Sequence, residues 1–356
     1  MELEFKKDFE DARLCWRAYW RGQRLDRPLM YVVAPRSGVE PVNPPAWIEQ
    51  VRGEIEPLID RVLAWAASHE FLGDAVPFYG IFFGPDHLAA LLGANLTINP
   101  NSPNTTWPEH IIKDWDDAEI AVRWDGPWWQ RTVECIRAFR RRCDGKVVIS
   151  MPTLQGGLDC LVALRGVEAL LMDLVEAPEK VQAALSAVDA AYDEVLSALA
   201  KELDVPRFGG VNRHGLYCHG TCNVPQCDVS CMLGPEMFAR FALPSVIHET
   251  ASLDAAEYHL DGPGAIKHLE ALCKVPGLAA IQWQPGAGEA ALRDWTDLRL
   301  RIDRLGMGQV VIESEHRKIV DLAGRLTAPR TFFYAKADSP AEGQRLLAAV
   351  AKAWRR

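Results

Sequence analysis

The sequence predicts an α/β protein, a (β/α)8 TIM barrel with an N-terminal helical extension and insertions over its C-terminal face. Three observations predict it. Eight short apolar runs recur along 356 residues, helical patterns separate most of them, and no internal repeat or Gly/Ser-rich linker divides the chain. Strand–helix alternation implies a parallel sheet covered by helices. Eight such units in this length suit a barrel, and an open doubly wound sheet is the alternative that the same alternation allows. Residues 1–356 read as one domain, with residues 1–26 as the extension.

The elements follow in order. The extension carries a helical pattern over Phe5–Gln23, with Trp16 and Trp20 four apart on one face, a spacing that suits packing. Candidate strands are Leu29–Val33, Asp74–Phe78, Val147–Met151, Arg207–Val211, Ala256–Leu260, Leu278–Trp283, Gln309–Ile312 and Thr331–Tyr334. Candidate helices are Val167–Glu176, Pro178–Leu203, Pro235–Ser252, Gly264–Leu272, Ala290–Arg304 and Ile319–Leu326. Residues 35–73 and 84–130 exceed ordinary connections and read as ordered insertions over one end of the barrel.

Composition excludes several function classes. The formal charge is −9, which argues against a nucleic-acid partner held by a basic surface. The local cluster Arg137, Arg140, Arg141 and Arg142 reads as a solvated helix face. No apolar run approaches the ~18 residues of a membrane span. The start, Met-Glu-Leu-Glu-Phe-Lys-Lys-Asp, lacks a signal-peptide pattern. A cytoplasmic location is the expectation, and with it reduced cysteines. Their number, nine, is odd, so they cannot all pair within one chain.

Chemistry in such barrels sits at the C-terminal ends of the strands. The residues there are Arg36 after the first strand and Gln155 and Asp159 after the third. His259 and Asp261 end the fifth, and Gln282, Trp283 and Gln284 end the sixth. Glu313 follows the seventh, and Tyr334 and Lys336 close the eighth. His259 and Asp261 stand two apart, so on a strand both point the same way. Asp261 could instead cap the helix that Gly262-Pro263-Gly264 introduces.

Four cysteines fall within fourteen residues, Cys218, Cys222, Cys227 and Cys231. Sulfur and imidazole ligands close together suit a zinc-class ion. The spacings are looser than Cys-x2-Cys, and Cys227 and Cys231 read equally as core. Cys218 and Cys222 lie in a Gly-containing loop from which a thiolate could reach a metal.

Two segments carry a family resemblance. Asp228-Val-Ser-Cys-Met-Leu-Gly-Pro235-Glu236-Met-Phe238-Ala-Arg-Phe241-Ala-Leu-Pro244 resembles the Asp and "SPExFxxFxxP" helix of uroporphyrinogen decarboxylase-like proteins. Tyr258-His259-Leu-Asp261-Gly262 resembles that superfamily's His-x-Cys-Gly element, and Asp26-Arg27-Pro28 and Leu158-Asp159-x5-Arg165-Gly166 also fit. The resemblance implies a (β/α)8 barrel and either of two activities, cofactor-free decarboxylation or zinc-dependent methyl transfer between corrinoids and thiols. The true decarboxylases carry Arg-Gln-Ala-Gly-Arg after the first strand, where this chain has Ala34-Pro35-Arg36-Ser37-Gly38, and an Asp after the second, where the first acid here is Asp86. The chain is therefore not expected to be a uroporphyrinogen decarboxylase. The methyltransferases bind zinc through His-x-Cys and a distant Cys. Here Asp261 replaces the first Cys, and Phe332–Lys336 has none.

The expectation is a zinc-dependent transferase that activates a thiol or accepts a methyl group, acting on a small molecule. His259, Cys222, Cys218 and Asp261 are the candidate ligands. Asp228, Glu313, Asp159 and Arg36 are the candidate catalytic groups. Gln155, Gln282, Trp283, Gln284, Tyr334 and Lys336 are the candidate substrate contacts. The methyl donor expected is a corrinoid carried by a small partner protein, and a homodimer is compatible with this picture. Two rivals stand beside it: a metal-independent decarboxylase or lyase acting on a small carboxylate, and a non-catalytic metal- or corrinoid-binding protein.

Overall fold

The computed structural model describes residues 2–286 and 288–354. Its centre is a mostly parallel sheet with helices packed around it. The strands are β1 (Leu29–Pro35), β2 (His69–Gly73), β3 (Phe78–Gly80), β4 (Leu96–Asn99), β5 (Ser102–Pro108), β6 (Val148–Ser150) and β7 (Gly210–Val211). They continue with β8 (Tyr217–Cys218), β9 (Cys222–Asn223), β10 (Ala255–Asp261), β11 (Leu278–Gln284), β12 (Gly308–Ile312) and β13 (Thr331–Lys336). Seven form one sheet in the order β2-β1-β13-β12-β11-β10-β9, in which only β1–β2 is antiparallel. Parallel strands covered on both faces should be apolar throughout. Accordingly every residue of β1 except Pro35 is buried, and the burial of β11 fails only at Gln284.

Among the described residues, ladder pairing is continuous over those seven strands and resumes in the parallel pair β3–β6. The Met151 N–H donates to the Val211 carbonyl at 3.1 Å and ties the end of β6 to β7. Two strands differ from the sequence expectation for local reasons. The segment expected as Asp74–Phe78 is a link between β2 and β3. Gly73 ends β2 at φ +64°; beyond it the Asp74 N–H donates to the Met30 carbonyl at 2.8 Å, while its carboxylate accepts the Met30 N–H and pairs with Arg27. The segment expected as Arg207–Val211 starts with a helical turn, Val205–Phe208, and only Gly210–Val211 is extended. Gly209, at φ +74°, makes the break.

The helix Phe9–Trp20 lies at the N-terminal ends of the strands. Trp16 Nε1 donates to the Asp74 carbonyl and Trp20 Nε1 to the Tyr217 carbonyl, so both rings pack, as their spacing suggested. The long helix Pro178–Glu202 forms close to its expected bounds. The helix expected over Pro235–Ser252 is interrupted by a π-helical turn, Phe238–Ala242. Pro244 has no N–H to donate back along the helix, and a wider turn just before it absorbs the mismatch. At the opposite end of the sheet, Trp47 and Gln50 of the first insertion reach β3: the Trp47 ring meets Phe82 at 5.0 Å, and Gln50 donates to the Gly80 carbonyl at 2.8 Å. The arginines 137, 140, 141 and 142 form surface ion pairs with Glu202, Asp204, Glu56 and Asp60. No helix among the described residues is long and apolar enough to cross a membrane.

Candidate functional site

The C-terminal end of β10 carries His259 and Asp261 on one face, while Tyr258 and Leu260 point to the other and are buried. The chain that runs beside β10 passes Gln226, bridged to His259, and turns into a 3-10 segment, Asp228–Met232. This brings Asp228 across to His259 and Asp261. One ligand atom from each of the three lies within 4.8 Å of the other two, and no other group of His, Cys, Asp or Glu among the described residues meets that geometry.

Each member is held from behind. His259 Nδ1 hydrogen bonds Gln282 Oε1 across the β10–β11 ladder, where the two residues are register partners. The Gln282 amide nitrogen donates to the Trp283 carbonyl at 3.2 Å, which leaves Oε1 as the acceptor. The proton therefore belongs on Nδ1, and Nε2 keeps its lone pair. Asp159 accepts the Asp228 N–H at 2.7 Å and the Val229 N–H at 3.1 Å, fixing the turn that carries Asp228. Gln226 and Gln155 donate to Asp228 Oδ2 at 3.0 and 3.4 Å. Asp228 Oδ1 is buried and has no partner. A buried, unpartnered carboxylate oxygen is costly unless a cation or a proton completes it.

The electrostatics agree. Burial, then the charges of Asp159 and Asp261, push Asp228 up to about 8, against the pull of Arg213 and Gln226. Burial lifts Asp159 to about 6 despite its two backbone donors. Asp261 is raised by burial and eased by Arg213. Burial, then the positive charge of Arg213 and His214, lowers His259 to about 3, so its ring is neutral at pH 7. A neutral imidazole and crowded carboxyls with too little positive charge near them form a site suited to a divalent cation or to a shared proton. On the face of β10 that carries His259 and Asp261, two residues before His259, the buried Glu257 accepts from Asn212 Nδ2 and pairs with His214 Nδ1, each at 2.7 Å.

The other expected residues are placed as follows. Cys218 and Cys222 lie away from His259, and this corrects the expectation that they share its metal. Cys222 is the register partner of Ala255 at the start of β10, four residues before His259, a separation of ~13 Å at strand rise. Both thiols are buried beside Ala255 and against Trp20. Cys222→Ser is therefore expected to leave bound divalent metal unchanged, which elemental analysis beside wild type would check. Trp283 also departs from expectation. It follows Gln282 on the strand, so its ring points to the outer face and packs on Trp295 at 4.9 Å. Glu313 Oε1 accepts the N–H groups of Ser314 and Glu315 and braces its own loop. Arg36 donates to the His69 carbonyl at 3.2 Å. Tyr334 stacks on Tyr31 at 4.7 Å, and Gln284 and Lys336 are exposed at their strand ends.

Two contributors escaped the sequence reading. Gln226 touches Asp228, and Arg213 stands near enough for its charge to act on all three triad residues. Neither sits in a motif. The only signal was that Arg213 and His214 follow a strand end.

Among known proteins, no family model matches the chain and no curated protein matches it. Among solved structures it is similar to a methyltransferase from Methanosarcina mazei, with a TM-score of 0.61 and 13% identity, over 97% of this chain and 99% of that one. At that identity the likeness concerns the fold.

Proposed function

We propose that this chain is a metal-dependent methyltransferase of the uroporphyrinogen decarboxylase-like superfamily, its sheet closing into a (β/α)8 barrel. Asp228, His259 and Asp261 would hold one zinc-class ion at the C-terminal end. The observation that carries the proposal is this triad with its free Asp228 Oδ1. One imidazole nitrogen and two carboxylate oxygens, with room for a further ligand, suit catalytic zinc, and manganese or cobalt also accept such donors. The full-length likeness to a methyltransferase supports methyl transfer as the reaction class.

A bound zinc-class ion supplies Lewis acidity, which lowers the pKa of a thiol or water it holds. The rest is done by the chain. Gln282 fixes the tautomer that leaves His259 Nε2 free to bind, and such outer partners matter nearly as much as ligands. Asp159 positions the turn bearing Asp228. Asp228 Oδ1 is the acceptor left open for the ion, or for a proton in its place. The donor proposed is a methylcorrinoid on a small partner protein, and the acceptor a thiol.

The test is demethylation of free methylcobalamin by the zinc-loaded chain with 2-mercaptoethanol, followed by the change in corrinoid absorbance. Zinc-dependent turnover is the expected result. Metal bound at the triad without turnover would instead indicate a binding protein. A second reading has its own support: a carboxyl with a pKa of about 8 beside Arg213 could serve a metal-independent lyase as its acid. That reading predicts decarboxylation of a small carboxylate by metal-free protein.

A further inference from the structure

A cavity of about 190 Å³ opens at the C-terminal ends of β3 and β6. Its wall is largely apolar and aromatic, with Trp47, Phe78, Tyr79, Phe82 and Met151, and it contains one charged side chain, Arg213. The Arg213 Nε donates to the neighbouring His214 Nε2 at 3.3 Å. Among the described residues no carboxylate lies within ion-pair distance of its guanidinium. The acids nearby, Glu257, Asp228 and Asp261, act on it through charge without forming an ion pair; Glu257 Oε1 is held by Asn212 and His214, and Asp228 Oδ2 by Gln155 and Gln226. Burial lowers the pKa of the guanidinium, outweighing the charges of Glu257, Asp228 and Asp261, which raise it. A desolvated guanidinium without an anion is costly, and its planar fork of donors matches a carboxylate.

We propose that this cavity is the substrate pocket and that Arg213 receives the carboxylate of a small substrate whose apolar body, about one ring in size, lies among the aromatic side chains. An apolar cavity of about 150 Å³ holds a benzene ring, so 190 Å³ accommodates one ring with its carboxylate and excludes a corrinoid, which must approach from outside. The triad does not line this cavity, but the charge of Arg213 reaches Asp228, His259 and Asp261, so a substrate seated on Arg213 lies on the triad's side of the pocket. The proposal rests on the function above only in making this molecule the one acted on. Binding itself requires neither metal nor turnover.

The experiment is calorimetric titration of the full chain with benzoate and with its neutral isostere benzamide, in metal-free and zinc-loaded protein. Benzoate is expected to bind at least tenfold more tightly than benzamide in both states. Arg213→Met should abolish the preference, and Arg213→Lys, which keeps the charge but loses the fork, should retain part of it. Absence of benzoate binding, equal binding of the two probes, or undiminished preference in Arg213→Met would each overturn the proposal. The wild-type comparison needs no variant to fold. Protein that prefers benzoate but takes up no metal would overturn only the methyltransferase reading. Protein that takes up metal but ignores benzoate would overturn only the pocket.

Discussion

Replacing His259 with alanine is expected to empty the divalent site and abolish metal-dependent activity. Four-ligand structural zinc sites bind with ~10–16 kcal/mol, or about 2.5–4 kcal/mol per protein ligand. Removing one should therefore weaken binding by roughly 10²–10³-fold. The neighbours offer no substitute. Gln282 Oε1 has His259 as its partner, and no further His, Cys, Asp or Glu among the described residues joins the triad. The effect should also be graded. Gln282→Leu leaves the ligand but frees its tautomer and ring orientation, and losses of about 10–100-fold are usual for such partners. Cys222→Ser, at the other end of β10, should do nothing. Metal content and affinity for the three variants would check the order. A metal lost equally in His259→Ala and Cys222→Ser would return the site to the cysteine loop.

That contrast shows what the sequence could and could not say. All eight candidate strands lie at or beside observed strands, because apolar runs covered on both faces have few other places to go. His259 and Asp261 were legible because a two-residue spacing on a strand fixes a shared face without any tertiary information. Asp228 was legible only through the helix motif that follows it. The cysteines are close along the chain but not at one end of the sheet. The segment from Cys222 to Asp228 runs alongside β10 from its start to its C-terminal end, so the first cysteines and the aspartate mark opposite ends. Gln226 and Arg213 left no pattern because each acts through a single contact or charge that only the folded chain creates.

Metal-free protein is expected to lose stability as pH rises from about 6.5 to 8.5, and Asp228→Asn is expected to reduce that loss, the buried Glu249, whose carboxyl is also pushed up by burial, keeping a share of it. The sign follows from proton counting. Burial and the adjacent carboxyls place Asp228 at about 8 in the folded chain, against ~4 for an ordinary aspartate. Between those values the folded state holds a proton that the unfolded state has released, so stability falls as pH rises. Asp159, at about 6, acts in the same direction over a lower range. His259 opposes both, because its folded value of about 3 lies below the ~6.5 of free histidine. Between those two values the unfolded chain binds the extra proton, and stability rises with pH. Below about pH 6.5 the contributions therefore cancel in part. Above it Asp228 acts alone among the three. A divalent ion at the triad would replace the proton on Asp228 and remove this fall, since its binding releases that proton and strengthens with pH. Thermal melts of metal-free and zinc-loaded protein at pH 6.5, 7.5 and 8.5 should thus diverge, the metal-free midpoint falling and the gap between the two widening. A metal-free midpoint that is flat over this range, or that falls equally in Asp228→Asn, would mean that Asp228 is not the strained carboxyl. The case for a cation at Oδ1 would then rest on the triad's geometry alone.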